Sequence, residues 1–241
     1  MRSFQAVLVV ADISGYTRFI MLHRASIAHA EVIISELLES VTETASTPLK
    51  LQKLEGDSAF MYAEISGSEK DAVADVMRQV RDFIAAFDKK KRQLFEKSIG
   101  GCIRSACQSI EVLDLKVIVH IGDVLEKKVS GSTELAGEAV IVAHRLLKNS
   151  LSGDRYVLAT IDVASLLDEA PFESARQIVE PIKDMGDFLL TAYLPDGENL
   201  DRQGVRPLTR PSSYLEILRL FAASAGAKLR PRQRPFEHLP R

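Results

Sequence analysis

Two aspartates carry the strongest chemical signal in this sequence. Asp12 stands at the end of an apolar run, Val7-Leu-Val-Val-Ala-Asp12, and Ile13-Ser-Gly-Tyr-Thr17 comes directly after it. Asp57 closes Lys53-Leu-Glu-Gly-Asp57, where Gly56 marks a tight turn between two strand-like runs. A carboxylate delivered by a buried strand is costly unless it is paired or holds a cation. Read alone, Asp12 is equally well a cap for the helix after it. The second carboxylate adds weight to a site. If the two strands are neighbours the carboxylates converge, and like charges at close range are unfavourable without a cation between them. Two carboxylates plus phosphate oxygens are a usual way to hold magnesium. A two-metal site can activate a hydroxyl and stabilise a leaving oxygen at phosphorus. The amides of Ser14, Gly15, Tyr16 and Thr17 lie where a strand gives way to a helix, the place where backbone donors meet anions.

The elements that must position these groups are read from apolar periodicity. Residues 5–13 read as a buried strand. Residues 17–45 read as a helix broken once, with Phe19, Ile20, Ile27, Ile33, Leu37 and Val41 at helical spacing. Residues 49–54 and 58–65 read as a hairpin with Asp57 at its tip. Simple alternation puts Leu49, Leu51 and Lys53 on one side; the turn at Gly56 breaks it, so Glu55 reads as an exposed turn residue or a partner of Lys53 rather than a third metal ligand. Residues 71–97 read as a long helix, whose basic run Lys89-Lys-Lys-Arg92 is expected on a solvated face. Gly100-Gly101 ends it, and 102–113 is a further helical segment. Residues 115–121 read as a buried strand and 124–129 as its hairpin partner, ending at Gly131. A helix over 137–149, a strand over 156–159, a short helix near 163–167, and a last hairpin of 177–182 with 188–194 complete the order. Hairpins mixed with crossovers imply an α+β domain on one mixed sheet.

Composition sets the bounds. The chain has 241 residues, 46% hydrophobic and 27% charged, which is ordinary for a globular chain and fits one domain plus a tail. Net charge is −2, so no global field draws it to nucleic acid or a membrane. Two cysteines, Cys102 and Cys107, and five histidines suit neither a disulfide framework nor a zinc spacing. The short N-terminal apolar run carries Asp12 and does not read as a secretory signal, and no apolar stretch is long enough to span a bilayer. A cytoplasmic protein is expected. Five of nine prolines fall from Pro207 onward. A domain over 1–196 is therefore expected, with an extension over 197–241 that holds one helix near 213–225 and a basic Pro/Arg-rich tail. His120 ends an apolar strand and reads first as a structural histidine. His144, beside Arg145, is ambiguous.

Four segments, in order, resemble the class III nucleotidyl cyclases. Ala11-Asp-Ile-Ser-Gly-Tyr-Thr17 resembles their Asp-Ile-x-Gly-Phe-Thr signature. Lys53-Leu-Glu-Gly-Asp57 resembles their Lys-x-x-Gly-Asp hairpin. Val119-His-Ile-Gly122 resembles their x-His-x-Gly strand, and Gly137-Glu-Ala-Val-Ile-Val-Ala-His-Arg145 their Gly-x-x-Val-Asn-x-Ala-x-Arg helix. The resemblance spans residues 5–195 and points to a bacterial branch catalogued as a domain of unknown function. It implies a ferredoxin-like α+β fold with a mixed, mostly antiparallel sheet and helices packed against it.

Carried over position by position, the resemblance makes Asp12 and Asp57 the ligands of two Mg2+ or Mn2+ ions, with the carbonyl of Ile13. It makes Lys53 and Glu134 the purine readers. Arg145 would stabilise charge on the phosphates, and Lys183 stands where the family's last catalytic lysine precedes the final strand. A homodimer with two sites at its interface is implied. So is conversion of ATP, in preference to GTP, to the 3′,5′-cyclic monophosphate and pyrophosphate, a signalling reaction. One position departs. The family's asparagine, four residues before its arginine, is Ile141 here, on the same helix face as Arg145. A lost preorganised donor typically costs about 100- to 1,000-fold in rate. The alternative is a catalytically degenerate homologue that binds a nucleotide or a partner chain.

Overall fold

The computed structural model describes residues 1–98 and 109–195. β1 (Arg2–Ser14) is central in an eight-stranded sheet. From Ala6 to Ala11 it has no solvent exposure at all, because both its faces and both its edges are covered. That explains a run of consecutive apolar residues rather than an alternating one. α1 (Tyr16–Leu22), a 3-10 turn (Arg24–Ser26) and α2 (Ile27–Thr42) come next, so the expected helix is broken once, at His23. β2 (Leu49–Glu55) and β3 (Ser58–Glu64) form the expected hairpin, and α3 (Glu69–Ser98) is the long helix. Then come β4 (Asp114–Val129), β5 (Ser132–Ala136), α4 (Glu138–Arg145), β6 (Tyr156–Thr160), α5 (Ile161–Ala164), β7 (Ser174–Ile182) and β8 (Gly186–Leu194).

The strands run in the order β2-β3-β1-β4-β6-β8-β7, with β5 paired to the outer half of β4. Among the described residues, only β4 and β6 pair in parallel. The sheet separates two apolar layers. Val7, Val9, Ala11 and Ile13 pack under α2 and α3 with Leu37, Phe83 and Phe87. Ala6, Leu8 and Val10 pack under α4 with Val142, Ala143 and Leu158.

Several expectations are corrected. Residues 115–121 and 124–129 are one strand, β4, not a hairpin. The chain reverses later, at Ser130 and Gly131, which hold φ of 50° and 87°. Gly122 marks close approach instead: a Cβ there would lie 2.8 Å from the Cβ of Ala139 in α4. The helix expected over 137–149 ends at Arg145, because the Asn149 side chain takes over the local backbone, donating to the Leu146 carbonyl at 2.7 Å and accepting from the Leu151 amide at 2.9 Å. The short helix starts at Ile161 rather than near Val163. Of the segment 102–113, residues Ser109–Val112 form a 3-10 turn. Residues 102–108, Cys102 and Cys107 included, and the extension over 197–241 lie outside the described residues. The basic run is not simply solvated. Lys90 pairs with Glu36 at 3.0 Å, and Lys91 donates to the carbonyls of Glu111 and Leu113, tying α3 to α2 and to the approach to β4.

Lys53 also emerges on a different face from the one alternation gives. Leu51 lies opposite Met61, yet Lys53 lies opposite Phe60, so Gln52 is an extra residue in β2. A bulge of this kind reverses the facing of every later residue in the strand.

Candidate functional site

β1 delivers Asp12 between two strands. It lies opposite Ser58 of β3 and Lys116 of β4, with its side chain on the α4 face that Ala6, Leu8 and Val10 share. Lys116 Nζ stands 3.0 Å from Asp12 Oδ2, and the two side chains are 20% and 14% exposed. Burial pulls the Lys116 ammonium down, but the charge and hydrogen bond of Asp12 outweigh it and leave its pKa raised. The sequence reading missed Lys116. Its signal was a lone lysine inside an apolar strand, which needs an anionic partner.

Asp57 reaches the same place from the β2–β3 turn. Its carbonyl accepts the Ile13 amide at 3.0 Å, which fastens the turn to the end of β1. Burial, then the charge of Asp12, raises the Asp57 pKa. The charge of Asp12 is therefore close enough to oppose ionisation of Asp57.

The break after β1 is enforced by Gly15. Its φ is 81°, and a Cβ there would come within 2.2 Å of the Val112 carbonyl oxygen. Asp12, Ile13, Ser14, Gly15, Tyr16, Thr17, Asp57 and Lys116 line one open depression. Within it the Ser14 hydroxyl is buried and, among the described residues, has no hydrogen-bond partner. Tyr16 is engaged elsewhere: its phenol donates to Glu31 at 2.9 Å, and that bond raises its pKa. No cluster of three or more metal-binding side chains occurs among the described residues. Two carboxylates with an orphaned hydroxyl beside them do fit a magnesium or manganese ion whose remaining ligands are phosphate oxygens and water.

A second group forms around Lys53. Glu55 holds its ammonium at 2.5 Å, and this bond, with the more distant charge of Glu134, raises the Lys53 pKa. His144 Nδ1 lies 3.8 Å from Glu55, and its ring meets Phe60 edge-on at 4.8 Å. Gln52 Nε2 donates to the Thr133 carbonyl at 2.6 Å, joining β2 to the β5 strand that carries Glu134.

Arg145 and Ile141 both lie on the exposed side of α4, Ile141 at 48% exposure. Ile141 is therefore not a core residue of this chain. Arg145 donates to the backbone carbonyl of Lys183 in the β7–β8 turn, so those two positions meet through backbone rather than through the lysine side chain. His120 is 7% exposed and hydrogen-bonds with Thr160 Oγ1 at 3.1 Å; burial pulls its pKa down to about 4. It is a neutral, satisfied, structural histidine at ordinary pH.

Comparison with known proteins places the chain. The model of a family described as "Protein of unknown function (DUF2652)" matches residues 34–156, and the chain belongs to that family. The "Uncharacterized protein Rv2561/Rv2562" of Mycobacterium tuberculosis (strain ATCC 25618 / H37Rv) is 35% identical over 154 residues, 64% of this chain and 69% of the relative. Among solved structures, a bacterial light-regulated adenylyl cyclase superposes with a TM-score of 0.58 at 15% identity, over 92% of this chain and 57% of that one. This chain thus spans little more than half of that protein's length. The adenylyl cyclase CyaB from P. aeruginosa gives 0.59 at 14%, over 79% and 94%. A class III adenylyl cyclase-like ATP-binding protein from Pseudomonas aeruginosa gives 0.53 at 15%, over 68% and 35%. At these identities the likeness shows the fold, which is that of the class III cyclases. No helix among the described residues is long and apolar enough to cross a membrane.

Proposed function

We propose that this DUF2652 member binds a purine nucleoside triphosphate with divalent metal and cyclises it, ATP in preference to GTP, to the 3′,5′-cyclic monophosphate. One observation carries the reading: Asp12 and Asp57 converge in a depression where Lys116 already serves as a counter-charge. A pure scaffold has no physical need for two opposed, half-buried carboxylates.

Asp12 and Asp57, with the Ile13 carbonyl, would hold Mg2+ or Mn2+. Such ions would supply a lowered pKa at the ribose 3′-hydroxyl and neutralise charge on the phosphates. Lys53 donates to a purine ring nitrogen or carbonyl, and Glu134 accepts from an exocyclic amine. Arg145 stabilises charge developing at phosphorus, and Lys183, whose backbone carbonyl Arg145 meets in the β7–β8 turn, would add a second cation there. The ribose 3′-oxygen bonds to the α-phosphorus, the bond to the β-phosphate oxygen breaks, pyrophosphate leaves, and the hydroxyl proton passes to solvent. A homodimer would complete each site from two protomers.

Ile141 favours a second reading. An exposed isoleucine replaces a hydrogen-bond donor beside Arg145, which fits a homologue that binds the nucleotide and signals by conformation without turnover.

The test is a product assay at high protein concentration with manganese and ATP or GTP, read by mass spectrometry, with metal-dependent nucleotide binding measured in parallel. Product that disappears in Asp57→Ala supports the cyclase. Binding without product supports the second reading. Unchanged binding of manganese-ATP by Asp57→Ala refutes the metal assignment.

A further inference from the structure

β2 departs from a regular strand at one residue, and that residue makes a long-range bond. Gln52 is extruded between Leu51, opposite Met61, and Lys53, opposite Phe60. Leu51 thus keeps to the face of Met61, though it is itself 45% exposed, while Lys53 emerges with Phe60 on the α4 face. The extruded side chain does not turn to water. Its Nε2 donates to the Thr133 carbonyl at 2.6 Å. Thr133 precedes Glu134 just as Gln52 precedes Lys53.

This contact is not a consequence of flat sheet geometry. Leu51 is level with Val119, through Met61 and Val9, whereas Thr133 lies opposite Lys128. Nine residues of straight strand would carry Lys128 about 30 Å beyond Val119. The outer half of β4 and β5 must curl back over the sheet to reach β2, and Gln52 receives it there. An uncharged amide suits the task. It donates to a carbonyl without adding a charge between Lys53 and Glu134, which a lysine or arginine would do.

We infer that Gln52 is a positioning residue for base recognition: its clasp on the β5 backbone turns Lys53 and Glu134 toward one purine edge. Glu55, 2.5 Å from Lys53, then limits the swing of the lysine from the other side. The inference rests on the nucleotide-binding reading above, and the experiment separates the two.

The full chain, Gln52→Met and Gln52→Leu are titrated by calorimetry with the manganese complexes of ATP, GTP, CTP and tripolyphosphate. Both variants lose the donor and add no charge beside Lys53. Gln52→Leu stands in should the methionine disturb folding, which melting curves monitor. Losing one well-placed hydrogen bond of about 1 kcal/mol lowers the preference of the better purine over CTP roughly fivefold. Tripolyphosphate, which has no base, stays within about twofold. An unchanged purine preference in both variants overturns the inference. So does an equal loss for tripolyphosphate, which marks a general structural effect, or a parent protein with no purine preference. A parent protein that binds none of the four overturns the nucleotide-binding reading itself.

Discussion

Removing Lys116 should weaken the metal-free protein and strengthen its hold on a cation. The ammonium lies 3.0 Å from Asp12 Oδ2, with both side chains mostly buried. At an effective dielectric near 20 the attraction at that distance is about 5 kcal/mol, most of it offset by desolvation. Breaking fully buried pairs costs about 3–5 kcal/mol. Discounted for the partial exposure here, Lys116→Met should cost about 2 kcal/mol in chelator, because Asp12 and Asp57 are left facing each other unneutralised. A divalent ion relieves the same repulsion, so that difference returns as affinity: about 2 kcal/mol is roughly a 30-fold tighter manganese complex. Urea unfolding in chelator measures the first quantity, and calorimetric titration with manganese alone measures the second. Equal or weaker manganese binding by the variant would refute the idea that ammonium and cation compete for the same carboxylates.

Two further outcomes test the framework that holds the site. His120 has a folded pKa of about 4 against the ordinary 6.5, so the unfolded chain takes up its proton first and stability falls as pH drops from about 6.5 toward 4. The histidine accounts for about 2 kcal/mol of loss between pH 7 and pH 5. His120→Gln should flatten the pH dependence of unfolding free energy by that amount, and parallel curves for parent and variant would contradict it. Gly15→Ala meets a positive φ and a carbonyl oxygen at 2.2 Å. It should lower stability by at least about 2 kcal/mol in denaturant unfolding, and a loss under about 0.5 kcal/mol, the range of an ordinary surface substitution, would show that the Ser14–Tyr16 turn relaxes freely.

The α+β class and most of the element order were legible because α2, α3 and the β2–β3 hairpin each carry a clear period and β1 is an unbroken apolar run; β5 was not read. The approach of Asp12 to Asp57 was legible too, since each aspartate sits where its strand stops or turns. The features that were not legible depend on partners far away in sequence. Gly122-Asp123 reads as a turn, but its glycine answers to Ala139 across the layer. Lys53 reads as sharing a face with Leu51 because alternation cannot reveal one extruded residue, and the hydrogen bond that accommodates Gln52 is 81 positions away. Lys116 shows only as a break in an apolar strand until Asp12 is placed beside it. The contact of Arg145 with the Lys183 carbonyl has no side-chain signature at residue 183, because any residue supplies that acceptor. Ile141 reads as sharing a helix face with Arg145, and only the packing shows that this face is exposed.

The complete burial of Ala6–Ala11 has a consequence for how motion is distributed. A strand hydrogen-bonded along both edges and covered on both faces has no local opening route, so its amide protons exchange only when the whole sheet comes apart. Asp12 is thus fixed to a segment with no local opening route. The β4–β5 hairpin and the β7–β8 turn are held to their neighbours by contacts such as Gln52–Thr133 and Arg145–Lys183, and can open without disturbing it. Ligand-induced protection from deuterium should therefore register in those two segments, with β1 protected to the same limit whether the site is filled or free.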